Sequence, residues 1–414
     1  MTDKNNNIKV LDLFAGAGGL SEGFIVNGYD IIGHIEMDKN ACSTLVTRMM
    51  YHALVKKGKL KAYKNYVLGK ITRDSLVEEY GLQKERDSVI CSKIDEDNYR
   101  ELIKCVKKML GGENLDMIVG GPPCQAYSYI GRARDEHGMR HDDRNFLYLY
   151  YIEFLKALKP KIFVFENVPG LESAGKGKYL KDMRRLMKKA GYETDYKILN
   201  AVNFGVPQNR KRIILIGWSK DSKMQEYPDF KEIERDYLVK DFFSDLPKIQ
   251  AGEELEINKY TKQNKLLEKV GVRNSKFGLL MDHVARPNTK QDLEIYVLAT
   301  RAKMNGENIK YNQLPERLKT HSNESGFLDR FKVVDSGASG SHTVVAHIAK
   351  DGHFYIHPDT EQNRSLSVRE AARLQTFPDD YKFEGDRGPR FKQIGNAVPP
   401  LLSSILAKTL KKYL

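Results

Sequence analysis

The sequence predicts an α/β protein with a doubly wound, largely parallel sheet, from three observations. Apolar runs of strand length recur at 8–14, 30–35, 115–119, 161–165 and 213–218. Segments with a helical pattern lie between several of them, and glycines or carboxylates directly follow the runs. Strands that are apolar throughout are buried on both faces, as in a sheet covered by helices. Ligands of such sheets bind at the carboxyl ends of the strands, so the residues there are the functional candidates.

Composition indicates a globular protein with a polyanionic partner. The 414 residues are 41% hydrophobic and 30% charged, which allows a full core and two domains. Lys and Arg outnumber Asp and Glu by 68 to 55, a net charge of +13 that favours nucleic acid because neutralised phosphates release counterions. The chain has neither an apolar run long enough for a bilayer nor a signal-peptide core, so we expect a cytoplasmic protein.

Cysteine and histidine spacing predicts no metal site. None of the four cysteines forms a CxxC pair, which argues against a zinc module and fits a reducing compartment. Histidines 342, 347, 353 and 357 fall in alternating runs that we interpret as a β-hairpin of strands 342–348 and 353–356. No cysteine accompanies these histidines, so structural roles are favoured over metal binding.

A thiol stands on a stiff loop just after the strand 115–119. Two glycines end the strand, and Pro122 and Pro123 fix their own φ and push the residue before each toward extended geometry. Cys124 is therefore held beyond a strand's carboxyl end, where a nucleophile would be placed. A small buried cysteine after a proline turn is the alternative interpretation.

Carboxylates end two further strands. Glu36 follows the strand 30–35, about 20 positions after the glycine loop at 15–19, a spacing that suits hydrogen bonds to ribose hydroxyls. A solvated loop carboxylate is the alternative for Glu36. Glu166 follows the strand 161–165, so we expect Glu166 and Cys124 to face one pocket. The polar stretch 126–145 between them is interpreted as a mobile loop.

Two basic segments are candidates for phosphate contacts. Residues 50–73 contain seven basic residues and no acidic one, with three interleaved tyrosines. This pattern is typical of a nucleic-acid contact and equally of a solvated helical face. The second segment, 208–212, precedes the strand 213–218, and an ordinary basic turn is its alternative interpretation.

Six motifs in order make the chain resemble the DNA (cytosine-5)-methyltransferases. They are Phe-x-Gly-x-Gly at 14–18, Pro-Pro-Cys-Gln at 122–125, Glu-Asn-Val at 166–168, Gln-x-Arg-x-Arg at 208–212, Arg-Glu-Ala-Ala-Arg at 369–373 and Gly-Asn-Ala-Val at 395–398. The resemblance implies a Rossmann-like, S-adenosylmethionine-dependent methyltransferase domain over 1–218. A smaller, irregular target-recognition domain would span 219–390, and 391–414 would return to the catalytic domain.

The resemblance also implies methyl transfer to C5 of a flipped-out cytosine in a specific duplex DNA sequence. Cys124 would add to C6, which makes C5 nucleophilic, and Glu166 would protonate N3 and hold the exocyclic amine. Arg210 and Arg212 would support the cytosine carbonyl and Glu166, or bind the adjacent phosphate. Because the target base is stacked inside a duplex, it must flip out, and the loop 126–145 would close over it.

The same resemblance places the methyl donor, S-adenosylmethionine, against residues spread over the chain. They are Phe14, Gly16, Gly18, Glu36, Met37, Asp95, Pro122, Leu147, Asn396 and Val398. Met37 stands where the family commonly has an aromatic residue, and it would cover the adenine less specifically. The third motif, usually Asp-Ile, reads Lys93-Ile94-Asp95 here, so either Asp95 or Lys93 is a candidate for the adenine contact. No metal is required.

Three other functions compete at this point. A tRNA cytosine-5 methyltransferase of the same family would carry a Cys-Phe-Thr segment, which is absent here. An inert DNA-binding regulator would not need Cys124, Glu166 and both arginines. A dehydrogenase would use a glycine loop and an acid but not Pro-Pro-Cys. We expect a monomeric bacterial or phage enzyme that protects DNA in a restriction-modification system, with a restriction endonuclease acting separately.

Overall fold

A seven-stranded sheet lies at the centre of the computed structural model, which describes residues 7–123, 147–319, 326 and 328–414. Its strands are β1 (Lys9–Leu13), β2 (Asp30–Glu36), β3 (Val89–Cys91), β4 (Met117–Gly120), β5 (Ile162–Asn167), β6 (Tyr192–Asn200) and β7 (Lys211–Ser219). They lie in the order β3-β2-β1-β4-β5-β7-β6. Strands β1 to β5 run parallel, whereas β7 is antiparallel to both β5 and β6.

The described helices, several of which cover the two faces of this sheet, are numbered in chain order. They are α1 (Gly19–Ile25), α2 (Lys39–Lys56), α3 (Leu60–Val67), α4 (Arg73–Tyr80), α5 (Gln83–Asp87), α6 (Tyr99–Leu110), α7 (Leu147–Leu158), α8 (Gly170–Ser173), α9 (Lys178–Lys189), α10 (Lys265–Lys269), α11 (Lys290–Met304), α12 (Val368–Leu374), α13 (Arg387–Asn396) and α14 (Pro400–Leu410). Leu11 and Leu13 of β1 pack toward α6, α7 and α9, while Val10 packs toward α1 and α14. The predicted doubly wound α/β fold is confirmed, with one antiparallel strand inserted near its edge.

The C-terminal helix returns to the sheet and packs on α1. Tyr29 donates a hydrogen bond of 2.8 Å to the carbonyl of Ala407, and the hydroxyl of Ser403 donates to the carbonyl of Leu20. These contacts place residues 395–398, just before α14, beside the glycine loop that precedes α1.

The region between β7 and α12 is mostly irregular, apart from α10, α11 and an antiparallel pair of strands. These strands are β8 (Glu254–Asn258) and β9 (Leu280–Val284). The predicted hairpin of 342–348 and 353–356 is wrong: the chain forms the 3₁₀ helices Ala346–Ala349 and His353–Tyr355 there. The two segments contact each other through side chains and not as paired strands: the Tyr355 hydroxyl donates to the carbonyl of Thr343 and accepts from the N–H of Val345. Ser341 forms a bridge with Gln208, and Ile356 forms bridges with Val333 and Ser365.

Within the described residues, no helix combines the length and the apolar character that crossing a membrane requires. The same part of the chain contains no group of three or more His, Cys, Asp or Glu side chains arranged to hold a metal ion.

Candidate active site

The glycine loop after β1 turns tightly and is open on one side. Phe14, Gly16 and Gly18 all have positive φ, at 56°, 55° and 79°. A Cβ on Gly18 would lie 2.7 Å from Leu45 and 3.0 Å from the hydroxyl of Tyr381, so only glycine fits against the protein behind the loop. A Cβ on Gly16 would meet nothing within 4 Å. The loop therefore presents backbone to an open space in which a ligand can approach closely.

Glu36 ties this loop to the end of β2. Its Oε2 accepts a 2.8 Å hydrogen bond from the N–H of Gly16, and its Oε1 accepts one of 2.8 Å from the N–H of Asp38. Each carboxylate oxygen has a second acceptor position, so a carboxylate held in this way can still bind two ribose hydroxyls. Met37, the next residue, is 59% exposed and is free to cover an aromatic ring.

Asp95 follows β3 at the same edge of the sheet. Its Oδ1 is buried and has no hydrogen-bond partner among the described residues. A buried acceptor without a partner is costly, so it fits a ligand that brings a donor, such as an adenine amine. The Lys93 ammonium lies 3.7 Å from the other oxygen, Oδ2, and its side chain is 56% exposed. Of the two candidates, the geometry favours Asp95.

The other predicted donor residues fall around this edge. Val398 is buried, and its carbonyl oxygen would lie 2.2 Å from a Cβ on Gly19, so the Gly-Asn-Ala-Val motif packs directly on the glycine loop. Asn396 is exposed at the end of α13, and Leu147 is buried at the start of α7. The carbonyl of Pro122 accepts a 3.3 Å bond from the side chain of Asn167.

Glu166 and Arg212 form an ion pair where β5 ends. The Nε of Arg212 lies 2.8 Å from Oε1 of Glu166, and the two side chains are 11% and 12% exposed. A Cβ on Gly121 would lie 2.6 Å from Oε2 of Glu166, so the missing side chain lets the loop after β4 pass directly beside this carboxylate. Cys124, Gln125 and the loop 126–145 lie outside the described residues. The Gly121–Pro123 backbone that leads to Cys124 thus runs along Glu166.

Comparison with known proteins assigns the chain to a family. The sequence model of the family of C-5 cytosine-specific DNA methylases matches residues 8–78 and 78–412. The chain belongs to this family. It is accordingly a DNA (cytosine-5)-methyltransferase that uses S-adenosylmethionine, and the tRNA-modifying, inert and dehydrogenase alternatives are not supported.

Relatives of the methyltransferase align over nearly its whole length. It is 40% identical to the type II methyltransferase M.Bpa9945I of Bacillus paralicheniformis, covering 97% of this chain and 98% of that one. It is 30% identical to the type II methyltransferase M.DdeI of Desulfomicrobium norvegicum, covering 98% and 89%. A crystal structure titled as a prophage-encoded DNA modification methyltransferase of E. coli shares the fold, with a TM-score of 0.65, 21% identity and coverage of 98% and 99%.

Arg210 makes different contacts from Arg212, the other arginine of the motif. It is 1% exposed and donates hydrogen bonds to the carbonyls of Val344, at 2.7 Å, and Gly395, at 3.2 Å. It thus joins residue 344 to the motif beside the glycine loop. The two arginines are expected to support the cytosine carbonyl and Glu166, or to bind the adjacent phosphate; of these, Arg212 contacts Glu166, and the contacts described for Arg210 include two backbone carbonyls. Arg210 directly precedes β7, and the chain around Ser341 runs parallel to residues 207–209 just before it.

Two of the three tyrosines in the basic segment 50–73 lie in the protein interior. Tyr51 and Tyr63 are buried, and the ring of Tyr63 lies 5.8 Å from that of Phe277. The hydroxyl of Tyr66 donates to Glu384. Helix α2 starts beside Glu36 and rises about 27 Å over its length, so the lysines at 56–61 lie far from the carboxyl edge of the sheet.

Sequence reasoning gave no role to Asp12 and named Gln208 only as part of a motif, although both are buried polar residues. Asp12 in β1 is 1% exposed, and burial raises the pKa of its carboxyl to about 8, with the charge of Glu36 adding to the shift and hydrogen bonds from Ser21 opposing it. Gln208 donates to Gln375 and to the carbonyl of Leu374 and accepts from the N–H of Val344. An acidic residue inside an otherwise apolar strand was the available signal for Asp12.

Proposed function

We propose that this methyltransferase works through a covalent bond between Cys124 and C6 of a flipped cytosine. The observation that carries the proposal is the Glu166–Arg212 ion pair beside the Gly121–Pro123 backbone that leads to Cys124. The reaction needs a nucleophile that adds to C6 and an acid that protonates N3. Cys124 would be the nucleophile on that backbone, and Glu166 the acid beside it.

The chain's own groups would divide the chemistry as follows. The Cys124 thiolate adds to C6 while Glu166 delivers a proton to N3, so the ring becomes an enamine with a nucleophilic C5. Arg212 holds Glu166 through Oε1 and leaves Oε2, beside Gly121, for the base. S-adenosylmethionine supplies an electrophilic methyl group. After C5 has taken the methyl, the C5 proton passes to water, the thiolate leaves C6, and N3 returns its proton to Glu166, which restores the aromatic ring.

The donor would lie along the carboxyl edge of β1 to β4. We assign its ribose hydroxyls to Glu36, its adenine amine to Asp95 and its adenine face to Met37. Support comes from the orientation that Gly16 and Asp38 impose on Glu36, and from the buried Oδ1 of Asp95. Phe14, Gly16, Gly18, Pro122, Leu147, Asn396 and Val398 complete the proposed site.

The catalytic and donor-binding domain would span 1–218, the target-recognition domain 219–390, and the returning segment 391–414. In support, β8, β9 and α11 lie outside the central sheet, and residues of α11 share a core with Tyr311, Leu314 and Phe331. Base contacts would come from this part of the chain, because phosphate contacts alone carry no sequence information.

We further propose that the enzyme is the modification component of a type II restriction-modification system, acting as a cytoplasmic monomer on duplex DNA beside a separate endonuclease. The support is that aligned relatives are named type II methyltransferases. Tritium transfer from labelled S-adenosylmethionine should reach duplex DNA and not tRNA. Bisulfite sequencing of DNA from an expressing, methylation-free host should then give 5-methylcytosine in one short sequence. Label in tRNA, or methylation without a sequence rule, would contradict the proposal.

A further inference from the structure

The back of the glycine loop is held by Tyr381. The Tyr381 hydroxyl donates a hydrogen bond to the carbonyl of Ala17, in the middle of the loop. The side chain is buried, and its ring lies 4.8 Å from that of Phe377 in an edge-to-face arrangement. A Cβ on Gly18 would meet the same hydroxyl at 3.0 Å. Tyr381 thus touches the loop where its backbone is packed against the protein, whereas Gly16 faces open space.

Arg48 of α2 holds the Tyr381 ring in place. The centre of its guanidinium lies 4.6 Å from the centroid of the Tyr381 ring and 4.1 Å from that of Tyr51. Its Nη2 lies 2.5 Å from Oε1 of Glu22 and its Nη1 2.8 Å from Oδ1 of Asp380. These charged side chains are at most 5% exposed. Arg48 therefore connects α1, which begins at the glycine loop, to the residue just before Tyr381.

Three further side chains donate hydrogen bonds to Asp380. Its Oδ2 accepts from the hydroxyl of Tyr51 at 2.5 Å and from the side chain of Asn274 at 2.9 Å. Its backbone carbonyl accepts from the hydroxyl of Tyr63 at 2.9 Å. Because buried charges are stable only when fully paired, this network allows little movement of the Asp380–Tyr381 backbone.

We propose that Tyr381 is a positioning residue for donor binding, with Arg48 positioning Tyr381 in turn. Its hydroxyl keeps the Ala17 carbonyl, and with it the loop, in the conformation in which the N–H of Gly16 reaches Glu36. Neither residue contacts the donor. The inference rests on the proposed donor contacts at the glycine loop. Without the Tyr381 hydroxyl, the loop spends less time in its binding conformation, and the apparent affinity falls by that fraction.

The test is calorimetric titration of Tyr381→Phe with S-adenosylmethionine and with S-adenosylhomocysteine, without DNA. Loss of one buried hydrogen bond should raise both dissociation constants about 5- to 10-fold. In assays on plasmid DNA from a methylation-free host, KM for the donor should rise similarly, while kcat at saturating donor changes less than about twofold. The matched control is Tyr63→Phe, which also removes a buried hydroxyl from the Asp380–Tyr381 segment but makes no contact with the loop. It should bind the donor like wild type.

A second variant, Arg48→Lys, keeps the positive charge but cannot pair with Glu22 and Asp380 while also stacking on Tyr381. It should weaken donor binding in the same direction. Wild-type affinity in Tyr381→Phe, or equal weakening in Tyr381→Phe and Tyr63→Phe, overturns the positioning role. Weakening in Tyr381→Phe while Glu36→Ala binds normally would support the Tyr381–Ala17 bond as the positioning contact and refute both the assigned ribose contact and the Gly16–Glu36 bond as part of the binding conformation. Donor binding is measured without chemistry, so a failure of Cys124 as nucleophile would not affect this result.

Discussion

Arg212 reaches Glu166 because β7 runs opposite to β5. Ile214 pairs with Glu166 in the antiparallel register, so Arg212, two residues earlier, lies just beyond the carboxyl end of β5. The antiparallel strand therefore begins at the edge where the parallel strands end. A seventh parallel strand would have placed its first residues at the opposite edge. The one departure from a parallel sheet thus brings the guanidinium to the carboxylate.

Replacing Glu166 tests its role as the acid at N3. Glu166→Gln keeps the size of the side chain but cannot deliver the proton, so kcat should fall about 10²- to 10⁴-fold. Donor affinity should stay at the wild-type value, because Glu166 lies outside the proposed donor contacts. Methyl transfer and calorimetry measure the two effects, with Glu193→Gln on the exposed face of β6 as the control. Loss of donor binding in Glu166→Gln would argue for a structural role instead.

Replacing Cys124 tests the covalent step. A serine hydroxyl is far less ionised than a thiol at neutral pH, so Cys124→Ser should abolish methyl transfer while donor binding persists. In wild type, duplex DNA with 5-fluorocytosine at the target should form a stable adduct, because fluorine blocks the loss of a proton from C5. Mass spectrometry should locate this adduct on Cys124. Turnover by the serine variant, or an adduct elsewhere, contradicts the assignment.

Removing Glu36 should weaken donor binding strongly. Hydrogen bonds to a charged group contribute about 1.5 to 3 kcal/mol, so Glu36→Ala should raise the dissociation constant of S-adenosylmethionine about 10- to 100-fold. DNA affinity without donor should change less. Glu101→Ala, an exposed carboxylate on α6, is the matched control. Unchanged donor affinity by calorimetry would show that Glu36 neither binds the ribose nor holds the glycine loop in its binding conformation.

Two buried groups should change stability with pH in opposite directions. Burial lowers the pKa of His283 to about 4, so the folded state keeps it neutral while the unfolded chain takes up a proton below about 6.5. Its contribution is present above pH 6.5 and is lost on acidification. Burial raises the pKa of Asp12 to about 8, so the folded state holds a proton that the unfolded chain releases. The Asp12 contribution is greatest below pH 4 and is lost toward pH 8.

Urea unfolding at pH 6.5 and 5.0 measures both effects. Relative to wild type, His283→Asn should make stability fall less on acidification, by up to about 1.4 kcal/mol per pH unit. Asp12→Asn should make stability fall more on acidification, by a similar amount, because the variant lacks the Asp12 carboxyl, whose contribution increases as the pH falls. The two variants serve as controls for each other. Parallel pH profiles for wild type and both variants would show that neither group has a shifted pKa.

The strands and carboxylates at the edge of the sheet were predictable because their signals are local. An apolar run followed by glycines or by an acid identifies β1, β2, β4 and β5 without knowledge of their neighbours. The direction of β7 was not predictable, since it depends on β6, a strand whose residues are mostly polar and partly exposed. The hairpin predicted at 342–356 is wrong for a related reason: the backbone of Ile356 bridges to Val333 and Ser365, and the two segments touch only through side chains such as His342 and Tyr355 in the described contacts, so alternation there does not indicate strand pairing.

Long-range partners also decided where polar residues with similar sequence signals lie. Arg210 and Arg212 look equivalent in the sequence, but the chain near Val344 takes the first and Glu166 the second. Tyr381 carries no sequence signal for its contact with Ala17, 364 positions away.

The structure narrows the part of 219–390 that can be exchanged to change specificity. Residues 237–286 are tied to the rest of the protein by buried ion pairs, including Asp245 with Arg373 and Asp282 with Arg369. In contrast, the segment 287–335 contributes most of a separate small core. Among the described buried residues of this core, Ile356 is the one that lies outside 287–335. We therefore expect 287–335 to be replaceable as a unit while the ion pairs stay intact.

Exchanging 287–335 for the equivalent segment of a related methyltransferase of known, different specificity should move the methylated site without abolishing activity. Base-edge contacts each discriminate by roughly 1 to 3 kcal/mol, whereas phosphate contacts are indifferent to sequence, so a new set of base contacts redirects an unchanged catalytic centre. Bisulfite sequencing of host DNA identifies the site, and donor affinity measured by calorimetry should match that of wild type. A control exchange of 237–286 removes Asp245, Asn274 and Asp282 and should destabilise the protein instead. An active 287–335 chimaera that still methylates the original sequence would place base recognition in another part of the chain.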